Sequence, residues 1–254
     1  MSTYLRRRNP AAKLVVALVL SLLLVLVIDP VTPLLFLAAT IAGGVAAGGI
    51  RVGTYARASM PLIAVAIGFV WSNAVFATPV PGDQILASWG PVRISETGLR
   101  FGTGLALRGF AIGVVSVTFI RSTDPADLVV SLIHDMRVPF RIGYALLAAY
   151  RFLPFVAQEY TQIRLAQRVR GVTRSPLAGV LSLFAMAIRR ATRIAVAMDA
   201  RGFAAAGPRT SFRVVPLTAA DIAFALVSVA TAVALLGTGA LGGWLRLWDG
   251  RFSA

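Results

Sequence analysis

An all-α, polytopic membrane protein with about five spans is the fold class this sequence predicts, and three observations carry that reading. Hydrophobic residues make up 57% of the 254-residue chain and charged residues only 14%, where a soluble domain carries about a quarter charged. The apolar residues gather in runs close to the ~20 residues that cross about 30 Å of hydrocarbon. A mean hydropathy of +0.79 coexists with a formal net charge of +15, so the charge is concentrated outside those runs.

Met1 to Lys13 is basic and leads into the apolar run Leu14 to Ile28. That order resembles a secretory leader, but Asp29-Pro30 offers no small-residue cleavage site and further spans follow, so a retained first helix is expected. Spans are expected at about 12–28, 33–50, 60–77 and 101–120, and a fifth at about 219–237 after Asp221. The stretches 140–157 and 177–188 are also apolar, but the first carries Arg141 and Arg151 and the second is short. They read as partly buried or interfacial helices. The loop 78–97 is rich in Pro and Gly, and its segments Gln84 to Ser88 and Val92 to Ser95 can pair as a hairpin. The expected organisation is four membrane helices over 1–120, cytoplasmic coupling helices over 121–213, and a last membrane helix with an external tail over 214–254.

The charge distribution orients this scheme, because cytoplasmic flanks collect Lys and Arg. Arg6, Arg7, Arg8, Lys13, Arg51, Arg57 and the fourteen arginines of 121–213 fall on one side. Arg93, Arg100, Arg246 and Arg251 fall on the other, nearly balanced by Asp29, Asp83, Glu96 and Asp249, and Arg108 lies inside the fourth span. The N-terminus is therefore expected in the cytoplasm and the C-terminus outside.

Several chemistries find no residues here. Cysteine is absent and His134 is the one histidine, which leaves no thiol nucleophile and no Cys/His metal set. His134 reads as an exposed polar residue. No GxxxxGK[ST] loop occurs, so ATP is not cradled by that motif. No acid lies deep in a span, which argues against a proton or ion relay. Small-residue patches such as Ala42-Gly43-Gly44 and Gly102, Gly104, Gly109, Gly113 permit close helix packing, or the docking of a capture subunit.

The 121–213 insertion carries the most specific pattern. Asp124-Pro125 places an N-cap residue before a proline at the first helical position. Leu128, Val129, Leu132 and Ile133 then form one apolar stripe, as in a helix lying in the membrane interface. Pro139 breaks the chain, and Pro154 sits within the next apolar segment. Beyond it, Val156, Tyr160, Ile163 and Arg170 share a face, and Gly171 follows, the residue type that ends helices in left-handed geometry. The arrangement recurs 31 residues later, with Ile163, Ala166, Arg170 and Gly171 matched by Ile194, Ala197, Arg201 and Gly202. One Arg-Gly pair is an ordinary dipole-favoured cap. Two pairs in matched register suit a partner with two similar acidic or carbonyl-lined pockets.

These residues, in this order, resemble the T component of energy-coupling factor transporters over nearly the whole chain. The resemblance rests on Asn9, Pro10, Lys13 and Leu14; on Thr123 and Pro125; on Arg137, Val138 and Pro139; on Arg151 to Pro154 with Glu159; and on Arg209, Thr210, Leu217, Thr218 and Asp221. The two coupling motifs are Val169-Arg170-Gly171, flanked by Arg168, and Ala200-Arg201-Gly202, flanked by Asp199; valine replaces the usual alanine in the first. The resemblance implies an importer for a vitamin or transition-metal ion. In such a complex two ATP-binding cassette subunits bind ATP and magnesium, a small membrane subunit captures the cargo, and this chain, with no cofactor of its own, couples them. An ordinary ABC permease usually carries one coupling loop rather than two arginine motifs. A membrane enzyme would need clustered acids, and the ten here are scattered. Nucleic-acid binding is disfavoured because few aromatics interleave the arginines, and positive-inside bias already accounts for the charge.

Overall fold

The computed structural model describes residues 4–76, 85–89, 92–171, 176–203 and 213–244. Gln84, Arg209 and Thr210 of the expected motifs lie outside them, as do Asp83, Arg246, Asp249 and Arg251. The described chain is almost wholly helical. A 3-10 turn (Tyr4–Arg7) precedes α1 (Pro10–Val25), α2 (Val31–Ala46) and α3 (Val52–Phe76). A hairpin of β1 (Ile85–Trp89) and β2 (Val92–Ser95) leads into α4 (Glu96–Ser122), α5 (Pro125–Asp135), α6 (Phe140–Val169), α7 (Pro176–Ala200) and α8 (Ala219–Leu241). Two compact units result, residues 1–131 with 215–254, and residues 132–214.

By length and composition, α3, α4, α6 and α8 can each cross a membrane, and the chain is a multi-pass, all-α membrane protein. Several lengths differ from the hydropathy reading. The apolar runs expected as spans at 12–28 and 33–50 form helices of only 16 residues, about 24 Å each. Local capping explains the first early stop. Arg108 of α4 donates from Nη1 to the carbonyls of Val25 (2.7 Å) and Val27 (3.2 Å), which an ending helix leaves without partners. One turn earlier on α4, a Cβ on Gly104 would stand 2.6 Å from the Ile28 carbonyl oxygen, so only glycine lets this turn approach so closely. Asp29 is buried rather than solvated, and its Oδ2 accepts from Thr32 N at 2.7 Å to start α2.

The second difference is α6. The stretch read as an interfacial helix at 140–157 is the first half of a continuous 30-residue helix with Pro154 inside it. Arg141 and Arg151 are the only charges in that half, so its apolar character runs on without the helix having to cross.

α7 also outruns the short helix expected at 177–188, running 25 residues over Pro176–Ala200; several local elements form as the sequence suggests. The antiparallel hairpin pairs Ala87 with Ile94, Ser88 with Arg93 and Trp89 with Val92. Asp124 caps α5, its Oδ1 accepting from Ala126 N (2.8 Å) and Asp127 N (3.2 Å). Asn9 caps α1 through Ala11 N at 2.8 Å, with Pro10 opening the helix. In the first unit the packed centre joins Leu24, Phe36, Ala111 and Ala232, and beside it Ile50, Tyr55 and Val114.

Candidate functional site

Within the second unit, α6 and α7 pack as an antiparallel pair, and three contacts fix their register. Gly179, near the start of α7, faces Gln167 near the end of α6. In the middle, the Arg190 guanidinium lies over the rings of Phe152 and Phe155, at 5.1 and 4.9 Å. Just past α7, Phe203 stacks on Phe140 and Tyr144 at the start of α6, with ring centroids 5.4 and 6.4 Å apart. Residue number rises along one helix as it falls along the other.

Each helix ends on a glycine in left-handed geometry. At the end of α7, Gly202 has φ +75°, its N–H reaches the Asp199 carbonyl at 2.9 Å, and Phe203 N reaches the Met198 carbonyl at 3.0 Å. These are the two bonds of a Schellman cap, with glycine at the left-handed position. At the end of α6, Gly171 has φ +73° and its N–H reaches Arg168 O at 3.1 Å, the same first bond. Arg170 and Arg201 are the cap residues of these turns, and both side chains are exposed.

Around them, Arg168, Val169, Asp199 and Ala200 are exposed, Ile163 and Ile194 are half-buried, and Ala166 and Ala197 are exposed. Pro139 caps the start of α6, and Glu159 is half-buried midway along it. The two arginines are not brought together. Arg201 sits beside the first turns of α6 and Arg170 at its far end, about 40 Å away along the helix axis. Sequence 132–214 holds thirteen arginines against Asp135, Glu159 and Asp199, a field that favours an acidic partner surface.

A second constellation, in the first unit, ties the two ends of the resemblance together. Asp221 is buried and accepts from Asn9 N at 3.0 Å, from Thr218 N at 2.9 Å and from Thr218 Oγ1 at 2.6 Å, with Arg8 at 3.6 Å. Asn9 Nδ2 donates to Val215 O at 3.2 Å. Lys13, also buried, donates to the carbonyls of Leu5 (3.2 Å) and Ser122 (2.7 Å). The N-terminal turn, the end of α4 and the start of α8 are thereby joined.

Residues 1–212 match the cobalt transport protein (CbiQ) family. This chain belongs to the CbiQ family. Curated relatives agree. An energy-coupling factor transporter transmembrane protein of Listeria monocytogenes is 29% identical, covering 71% of this chain and 73% of the relative. Its counterpart in Lacticaseibacillus paracasei is 30% identical over 65% of this chain and 68% of its own length. One from Brevibacillus brevis is 24% identical over 96% and 94%.

For this CbiQ-family chain, sequence reasoning named the arginines and glycines as candidates but missed what orders the helix ends that carry them. Phe203 was readable as the hydrophobic residue that follows a Schellman glycine, whereas its docking on Phe140 was not. Lys13 was counted among the cytoplasmic flank charges; the structure buries it between two carbonyls.

Proposed function

We propose that this protein is the transmembrane coupling scaffold of an energy-coupling factor importer. Two ABC-type ATPase subunits bind ATP and magnesium and hydrolyse the nucleotide, a small membrane subunit captures a vitamin or transition-metal ion, and this chain carries movement between them. What best supports the reading is a pair of exposed Arg-Gly helix ends, each with its glycine in left-handed geometry, set at opposite ends of one antiparallel hairpin. Such a hairpin can present one arginine to each of two homologous subunits. Each guanidinium offers a planar fork of donors to carbonyl or carboxylate groups in a groove, and the left-handed glycine behind it turns the chain away. Closure of the ATPase pair then displaces both ends at once, and the rigid helices carry the displacement. On this reading catalysis resides in the partners and none of this chain's residues performs it. The N-terminus lies in the cytoplasm and the C-terminus outside.

The test is extraction in mild detergent after co-expression with ABC-type ATPase and small membrane-protein subunits from the same source. Two ATPase subunits and one small apolar protein should elute with this chain, and uptake of cargo should require ATP. A lone chain, stable and transporting by itself, would overturn the proposal.

A further inference from the structure

Inside the first unit, α1, α2, α4 and α8 enclose a cavity of about 300 Å³ that is open to the surface. It exists because α2 presents Ala39, Thr40 and Gly43 to it, side chains too short to fill the space, and a Cβ on Gly43 would meet nothing within 4 Å. One end is marked by Lys13, which donates to the carbonyls of Leu5 and Ser122. The other is marked by Leu20, Phe36 and Leu235, which pack in one apolar cluster.

The chemistry of the walls excludes a polar cargo. Thr118, Ser122, Ser228 and Thr231 line the space, but each hydroxyl donates back to its own helix, to Val114, Phe119, Phe224 and Val227 respectively. Apart from Thr40 and Lys13, the walls are hydrocarbon and hydroxyls bonded to their own helices, and largely apolar cavities of this kind take apolar guests.

It is open to the surface where Val227 and Thr231 of α8 are exposed, so one extended hydrocarbon chain can enter it from the bilayer. The charge lies at one end only, since exposed Arg6 adjoins Leu5, exposed Arg121 adjoins Ser122 and exposed Arg51 follows α2.

We propose that this cavity holds one acyl chain of an anionic phospholipid, whose phosphate headgroup is met at the mouth by Arg6, Arg51 and Arg121. The cavity is thus a specific lipid site, filled from the bilayer leaflet on the side of the basic N-terminus. Cytoplasmic arginines attract anionic headgroups by about fivefold for each residue engaged. The same lipid would plug a gap beside the Lys13 and Asp221 bonds.

The full chain, with the subunits that co-purify, would be placed in nanodiscs containing phosphatidylglycerol or phosphatidylcholine with a photoactivatable group in the acyl chain. After illumination, mass spectrometry should find label on residues 39–44 and on Thr231 and Leu235, at least about fivefold more from phosphatidylglycerol. Arg6→Gln, Arg51→Gln and Arg121→Gln together should bring the two lipids level. Thr231→Phe should abolish label at 39–44 while leaving it on outward-facing Leu226 and Val233. Equal labelling by both lipids in the unmodified chain, or label confined to Leu226 and Val233, would overturn the proposal. So would a Thr231→Phe chain that keeps its label and loses a co-purifying membrane protein, since a protein segment would then be the occupant. The unmodified chain decides the question even where Thr231→Phe fails to fold.

Discussion

Arg170 and Arg201 occupy the same backbone position, so capping alone would treat them as interchangeable with lysine. A cation at a helix C-terminus contributes about 0.3–1 kcal/mol whichever residue carries it. A forked contact in a partner groove does not survive that exchange. Arg201→Lys and Arg170→Lys should each reduce ATPase co-purification and uptake at matched membrane expression, with alanine worse and the double alanine variant worst. Losing one partner of a buried charged contact costs about 2–5 kcal/mol, enough to dissociate a complex of ordinary affinity. Unchanged assembly and uptake in the double alanine variant would remove these arginines from the coupling role. Asp221 makes a prediction of a different sort. Its carboxylate accepts from two backbone N–H groups and one hydroxyl in a buried site, and bonds to a charged acceptor are worth about 1.5–3 kcal/mol each. Asp221→Ala should lower the thermal midpoint of the purified protein clearly, and Asp221→Asn by less, because one amide oxygen still accepts. A midpoint unmoved by alanine would show that the joint between Asn9 and α8 carries no stability.

At the scale of the helices, the left-handed glycines and the aromatic residue behind one of them set how α7 ends. Gly202→Ala forces a Cβ into φ +75°, a cost of about 1–2 kcal/mol, and Phe203→Ala removes the stack on Phe140 and Tyr144. Both should expose the end of α7 to limited proteolysis near Arg201, Phe203→Ala without touching the arginine itself. Resistance equal to the unmodified chain would mean that the cap and the stack do not hold this end. These features also mark what the sequence made legible. The caps at Asn9, Asp124, Gly171 and Gly202 were readable because each is settled within four or five residues. The hairpin at 85–95 was readable for the same reason. The early end of α1 was not, because it depends on Arg108, more than eighty positions away. The continuity of α6 was obscured by Arg141 and Arg151, which interrupt a hydropathy plot without interrupting a helix.

For the whole molecule, orientation in the membrane is the first thing to establish, and the absence of cysteine makes it accessible. A cysteine at Ser253 should react with an impermeant thiol reagent on intact cells and one at Ser2 should not; the reverse pattern would invert the topology. The family and the membrane class were legible from composition and motif order. The α6–α7 register was not, since nothing in either helix alone says that Arg190 will lie over Phe152 or that residue 203 will return to residue 140. That register makes the hairpin a ruler. The separation of the two arginines is counted out in helical residues, at 1.5 Å apiece, and must equal the separation of whatever receives them. Seven residues added to α6 alone would slip every rung and strand Phe203. Seven added to both helices would preserve the rungs and the facing, yet push the arginines about 10 Å further apart. Members of this family that differ in hairpin length should therefore not exchange their partners, however faithfully each keeps its Arg-Gly ends.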